Sequence, residues 1–504
     1  MLNRPDKDRL LRLKPLRLLG FATILLCFAW FAWKHLSVTV SVPNAPVSST
    51  VERVYLGPRN SLAVLAFSIG DDGATPEYLG RGVARELVDV LAAEPTLQLT
   101  AATSSLFPEA GMTDLEVAAQ RLQVAHLVSG TIVLSGDRIR LQAALWDTHR
   151  KEVTWEGSRE HSLQEVDALL YGVAADLLSQ LPLNGRSPAA VYSRVPAQAW
   201  LDFVQGRDLA AMGSHDAART YFERAVGLDP RFSAAQLELA RLALTASPPG
   251  RDAAMAAVRD VLSRNPNLPR ALGLRSYIER NLDWNWAGAA DSAAAAVRLL
   301  PADAGLLNLA GQALFSVGRH REAVEHFSGA VVRDPLNLNI RLGLGLAQEY
   351  LGQYDEALKT YRILLGLKPD FPGAHALRAR IKLLQDNPDS ALRESGQEND
   401  PFWKSYSRIL ALAGQGKQEE AASQWGEMVA GYGDMAAFQF AEIAASLGRI
   451  DAAFSWLHTA RAQKDGGMRE LLGNRFLAGL HNDPRWPELL ISMGLPLDGE
   501  GRND

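Results

Sequence analysis

Prolines that end helical stretches recur through the middle of this chain at 230, 266, 301, 335 and 369, spaced 36, 35, 34 and 34 residues apart. Proline lacks an amide donor and its ring clashes with the preceding turn, so each one closes the helix before it. A period of this length holds two short helices and the turns between them. One such unit cannot bury its own apolar face. The units must therefore stack side by side, and most of the chain is confined to an extended helical array.

The register within a unit repeats as well. In the unit from Ala304, the signature positions are Leu307, Gly311, Leu314, Ala323, Phe327, Ala330 and Pro335. In the unit from Ala199, Gly206, Leu209, Ala218, Phe222, Ala225 and Pro230 take the same places. Small residues let the two helices approach closely, and Phe222 and Phe327 fill the space between neighbouring pairs. The unit from Leu338 keeps Gly345, Ala357, Tyr361 and Pro369, while those from Ala235 and Arg270 retain Ala254 and Ala289. Beyond Pro369 the spacing slips, yet Ala421 with Trp425, and Ala453 with Leu457 and Ala460, still fit. This pattern resembles the tetratricopeptide repeat (TPR). It predicts an α-helical solenoid over 197–495 with seven to eight repeats, the sixth degenerate. RELLGNRFLAGLHNDPRWPELLISMGLP is expected to cap the stack, and 496–504 to form a disordered tail.

The resemblance implies a concave groove lined by the first helix of each unit and suited to a protein or peptide. The family's groove positions fall on Trp200, Phe203 and Arg207 in the first unit and on Asn308, Gln312 and Phe315 in the fourth. They fall on Asn339 in the fifth unit and on Trp403 and Tyr406 in the seventh. The competing reading of each is a packing or capping residue, with Trp200 and Trp403 plugging gaps between repeats. The repeated basic and Asn pattern of chaperone-binding, dicarboxylate-clamp repeats is not evident here, so a carboxyl-terminal peptide of that type is not expected.

Ahead of the repeats the pattern changes. SLAVLAF (61–67) is a compact apolar run consistent with a buried strand, and Leu79, Val83, Leu87, Val90 and Leu91 fall at helical spacing within 77–93. A second strand is expected at 97–100 and a second helix at 113–123. Residues 125–134 and 138–146 flank Ser135-Gly136-Asp137, a hairpin signal, and EVTW (152–155) adds a strand before a closing helix over 163–181. The product is a small α/β domain at 61–182, joined to the repeats by a linker at 183–196. The blocks LAVLAF, PEYLGRGVARELVDVLA, ATSSLF and VAAQRLQVAHLVSGTIVLSGDRIRLQAALWDT resemble, in this order, the TolB-like amino-terminal domain. Ala66 departs from that family, which usually has Pro there. The resemblance implies no catalytic residues. It implies a placement outside the membrane ahead of TPR repeats, as in the exported half of CadC-like regulators.

Leu18 to Trp33 is a run of sixteen residues without a charge. Continued to Leu36 at about 1.5 Å per residue it reaches roughly 28 Å, close to the hydrocarbon thickness of about 30 Å. Seven basic and two acidic residues lie up to Lys34, so 1–17 is expected in the cytoplasm, 18–36 across the membrane and the rest exported. The bulky Phe28, Trp30, Phe31 and Trp33 disfavour a cleavable leader, and Pro43, Pro46 and Pro58 mark 37–60 as a linker. The expected location is a bacterial inner membrane, single-pass, with the bulk of the chain periplasmic.

Beyond Lys34 the chain has 45 basic and 55 acidic residues, which provides no basic excess for nucleic acid. Cys27 is the single cysteine and lies in the apolar run, so multi-Cys metal sites and internal disulfides are excluded. His320 and His326 are six apart, and no H-E-x-x-H or G-x-S-x-G occurs. Gly414-Gln415-Gly416-Lys417 has Gln418 where a phosphate loop needs Ser or Thr, and Gly431-Tyr432-Gly433 lacks the third glycine of a dinucleotide site. Asp71 and Asp72 have no third ligand nearby. No catalytic residue, cofactor or metal is expected. The expectation is a non-enzymatic, membrane-anchored adaptor. The alternative is an exported sensor subunit whose effector is a separate chain, because about 17 cytoplasmic residues cannot hold one. Self-association through the α/β domain stays open.

Overall fold

The computed structural model describes residues 57–70, 75–106, 114–183, 195–433 and 435–497. The expected membrane span with its basic tail, Asp71 and Asp72, and most of the two linkers and the terminal tail lie outside them. Among the described residues no helix is long and apolar enough to cross a membrane.

The α/β domain holds β1 (Ser61–Val64), β2 (Ser68–Ile69), β3 (Gln98–Leu99), β4 (His126–Ser135), β5 (Arg138–Asp147) and β6 (Glu152–Ser162). Its helices are α1 (Tyr78–Leu91), α2 (Ala102–Ser105), α3 (Leu115–Leu122) and α4 (Val166–Ser179). The strand order is β3-β1-β4-β5-β6, with β2 also on β4. β1 runs parallel to β3 and β4, and β4, β5 and β6 form an antiparallel meander. Both faces are covered, which explains the unbroken apolar run of β1. Leu62 and Val64 join α1 and α4 in one core, and Ala63 and Leu65 join α3 in another. β6 is longer than the four residues the sequence marked. It is an edge strand with no fully buried residue, and its mostly polar sequence gives no apolar alternation to read; Glu160 pairs with Arg138 and Arg140 instead.

Sixteen helices follow among the described residues, as eight antiparallel pairs. The first helices are α5 (Ala197–Ala211), α7 (Ser233–Leu244), α9 (Pro269–Ile278), α11 (Ala304–Ser316), α13 (Leu338–Tyr350), α15 (Ala374–Leu384), α17 (Pro401–Gly414) and α19 (Ala437–Ser446). Their partners are α6 (His215–Leu228), α8 (Arg251–Arg264), α10 (Trp286–Leu299), α12 (His320–Arg333), α14 (Tyr354–Leu367), α16 (Pro388–Gln397), α18 (Gln418–Tyr432) and α20 (Ile450–Ala462). The small-to-aromatic register has a direct steric reading. A Cβ on Gly206 would stand 2.6 Å from the Phe222 ring, one on Gly311 2.9 Å from Phe327, and one on Gly345 2.3 Å from Tyr361. The turn between paired helices needs a left-handed residue, supplied by Gly318 and Gly352 with φ of 82°. In the third unit a π-helical turn, Glu279–Asp283, replaces it and Trp284 takes φ of 59°; in the sixth, Asp386 takes 56°.

The C-terminal stretch was expected to cap the stack. It forms two 3-10 segments, Gly466–Glu470 and Arg475–Leu480, and helix α21 (Arg485–Ser492). Leu477 and Leu480 share a core with Phe438 and Phe440 of the last unit, as a cap would. The stretch also turns back across the array. Lys464 Nζ donates to Leu282 O (2.6 Å), the Trp286 indole N–H donates to Met493 O (2.7 Å), and Arg475 lies over the Tyr354 ring. The curvature of the eight units brings the last one opposite units three to five, and this apolar segment is buried between them.

Candidate functional site

The three positions selected in the first unit belong to an internal interface. α1 packs along α5, and a Cβ on Gly82 would strike Val204 Cγ1 at 2.0 Å. Trp200 and Phe203 are each 4% exposed in the core shared with the sheet, and Phe203 rests on Phe222 and Phe232 with centroids at 6.1 and 4.9 Å. Arg207, its side chain 13% exposed, donates to Glu86 and to Asp89 Oδ2 (2.8 Å). Burial opposes the Arg207 charge, and Asp89 and Glu86 more than restore it, so its pKa lies above the usual value. Arg81 closes the same face with two 2.7 Å bonds to Asp208. These residues cannot meet a partner while the α/β domain is docked.

The domain also reaches the fourth unit. Thr103 and Ser104 of α2 donate to Asp334 at 2.7 and 2.5 Å, the Ala101 amide donates to Arg333 O (2.6 Å), and Leu336 joins the sheet's second core. Arg270 of the third unit bonds Asp89.

Positions selected in the fourth to seventh units divide into buried and reachable. Phe315 is 6% exposed and packs on His320 and Tyr350, with centroids at 5.1 and 4.9 Å. Tyr406 is 0% exposed. Its hydroxyl donates to Glu442 Oε2 and accepts from Arg380 Nη1, both at 2.8 Å. Both positions are packing residues, corrected from the groove assignment because a fully shielded ring cannot touch a ligand. Asn308 and Gln312 are half-buried, bonded to each other at 3.3 Å, and Asn339 is exposed. Trp403 is half-buried, edge-on to Phe402 and Tyr406.

Sequence reading missed the network around Arg380. Arg380 Nε donates to Glu349 (3.1 Å) and Nη1 to Glu442 (2.8 Å), and Asn474 Nδ2 bridges Glu442 (2.8 Å) and the Tyr350 hydroxyl (3.0 Å). Tyr350 in turn stands 3.2 Å from Glu470 Oε2. These residues join units five to eight to the C-terminal stretch. Burial pushes the Glu470 pKa up to about 7, with Arg380 opposing and Glu442 and Glu349 adding to the rise. Burial alone brings His320 down to about 4. Isolated charged residues on otherwise apolar helices were the only signal available, and they do not reveal which of them meet. Among the described residues no group of three or more His, Cys, Asp or Glu side chains could hold a metal ion.

Comparison with known proteins agrees with the helical register. A family profile described as tetratricopeptide repeat matches residues 314–381, and a second of the same description matches 203–269 and 285–337. Over 99 residues the chain is 32% identical to the tetratricopeptide repeat and J domain-containing co-chaperone DNJ1 of Fusarium oxysporum f. sp. lycopersici. That match spans 19% of this chain and 19% of the co-chaperone. Among solved structures, a tetratricopeptide repeat protein of Parabacteroides merdae is 15% identical, with 50% of this chain and 100% of that one covered at a TM-score of 0.37. A thermophilic TPR protein of Thermus thermophilus is 24% identical over 39% of this chain and 99% of its own, at a TM-score of 0.31. Since the profile matches fall on the hairpins whose close packing is set out above, the helical hairpins across 203–269 and 285–381 are tetratricopeptide repeats.

Proposed function

We propose that this protein is a non-enzymatic scaffold that holds a protein or peptide partner on its repeats. In this reading residues 18–36 anchor it in a bacterial inner membrane, and the TolB-like domain and the repeats stand on the exported side. One observation carries it: the array is held in one shape before any partner arrives, by the α/β domain across units one to four and by the C-terminal stretch across units three to eight. A preformed surface spares the ordering entropy of binding and leaves affinity to contacts alone. Asn308, Gln312, Asn339 and Trp403 are the groove positions left to make them. The anchor is supported by the uncharged run and its basic flank.

A second reading is a sensor subunit acting on a separate cytoplasmic effector. It is favoured by the bonding of the α/β domain to units one and four at once, through which a ligand on that domain would bear on the curvature of the array. In-cell crosslinking of the tagged full-length chain, followed by mass spectrometry of detergent-solubilised complexes, separates the two. An abundant exported or membrane partner linked to first helices supports the scaffold. Links confined to the chain itself, or running from residues 1–17 to a cytoplasmic regulator, overturn it in favour of the sensor.

A further inference from the structure

Two arginines meet where the third unit departs from the glycine turn. The π-helical turn Glu279–Asp283 carries Arg280 and Asn281, and the first 3-10 segment brings Arg469 against them. Arg280 Nε donates to Gln312 O (3.1 Å) and Ser316 Oγ (2.9 Å), and its Nη1 to Asn281 Oδ1 (3.1 Å) and Gln312 Oε1 (3.2 Å). Arg469 Nε donates to Gly466 O (2.8 Å), and its Nη1 to the same Asn281 oxygen. Every one of these acceptors is neutral.

The Nη2 groups of both arginines have no acceptor among the described residues, and no described carboxylate lies within ion-pair distance of either. The acids nearest in charge are engaged elsewhere: Glu470 with Tyr350, and Asp465 with the Phe438 and Gly467 amides. Arg207, with a side chain 13% exposed, and the buried Arg380 each bond two carboxylates. Arg333 and Arg341 also lack one, but each stands alone against a backbone carbonyl. Only at Arg280 and Arg469, among the described residues, do two such cations come together. Burial, and then repulsion by Arg469, push the Arg280 pKa down, and Tyr277 and Glu470 offset this only in part. Neither side chain is sealed off. Both residues are half-buried, Tyr277 beside them is 40% exposed, and Asn308 and Gln312 adjoin through the Gln312 bonds.

We propose that Arg280 and Arg469 form a receptor for a side-chain carboxylate in an acidic segment of the partner. The proposal rests on the scaffold reading and names the chemistry that the scaffold selects. Two guanidinium groups, each with one uncommitted amino end, match the two oxygens of a carboxylate, and the charge-assisted bonds would neutralise the pair. Arg469 lies beyond the repeats, so the receptor exists only while the C-terminal stretch is docked.

The test uses the full-length chain in detergent with a fluorescent hexaglutamate whose carboxyl terminus is amidated, read by anisotropy at low salt. Saturable binding, absent for hexaglutamine and weakened by salt, is expected. Arg280→Gln and Arg469→Gln should each weaken it roughly tenfold or more, whereas Arg298→Gln, at an exposed position, should leave it unchanged. Arg469→Lys keeps the charge and loses the fork, and should fall between. Arg469→Gln gives up a charge with no paired carboxylate together with its bonds to Gly466 and Asn281, so the two effects offset and melting close to the native temperature is expected, which separates lost binding from lost fold. Unchanged binding in both Gln variants overturns the site, as does binding of inorganic phosphate without hexaglutamate. A crosslinked partner still captured by the double variant removes this receptor and leaves the scaffold standing.

Discussion

At the scale of single residues, one amino acid does opposite things in this array. Gly345 in α13 faces the Tyr361 ring so closely that Gly345→Ala should cost about 1–3 kcal/mol as helices part. Gly426, within α18 with nothing in reach of an added Cβ, should gain about 0.5–1 kcal/mol on Gly426→Ala by helix propensity. Urea unfolding of the two variants checks both signs. The first of these was legible in the sequence, because the period sets Gly345 and Tyr361 at partner positions. The roles of Trp200 and Phe203 were not. An aromatic residue on a first helix reads the same whether it lines a groove or seats a neighbouring domain, and only the packing of α1 decides between them.

At the scale of elements, the C-terminal stretch is where sequence reading fell short. The spacing of Leu471, Leu472, Leu477 and Leu480 announces burial, but not that the surface offered comes from units more than a hundred residues earlier. Two titrating groups at this contact pull in opposite directions. Glu470 is protonated up to about pH 7 in the fold, against an ordinary 4.5, so the stability it lends is full at low pH and is lost as pH rises through about 7. His320 stays neutral down to about pH 4, against an ordinary 6.5, so its contribution is full above 6.5 and is lost as pH falls through about 4. Between these limits, from about pH 4.5 to 6.5, the slopes that these two groups contribute offset each other. Glu470→Gln should make stability rise more steeply with pH over that window than in the native protein, and His320→Gln should make it fall relative to the native profile. Denaturant midpoints at stepped pH, compared with the native protein, read this directly; profiles of unchanged slope in both variants would contradict it.

At the scale of the whole molecule, the α/β domain and the repeats behave as one body because ionic bonds surround an apolar seam. Arg207→Ala leaves Glu86 and Asp89 without their shared cation and should weaken docking by on the order of 2 kcal/mol. Hydrogen exchange should then rise in α1 and α5 while α13 to α16 keep their protection; exchange rising evenly over all units would mean that the array, not the seam, had failed. The array itself could be read from proline spacing and small-to-aromatic register. Its closure on both sides could not, since the pairs that make it, Arg81 with Asp208 and Trp286 with Met493, are joined by no local pattern. The most direct test of the account places a photo-crosslinking side chain at Asn339 and at Trp403, and for comparison at Leu228 and Leu299, exposed at the ends of second helices. The account predicts one partner protein captured from Asn339 and Trp403 and none from the two leucines. Capture from Leu228 or Leu299 with nothing at Asn339 and Trp403 would contradict it.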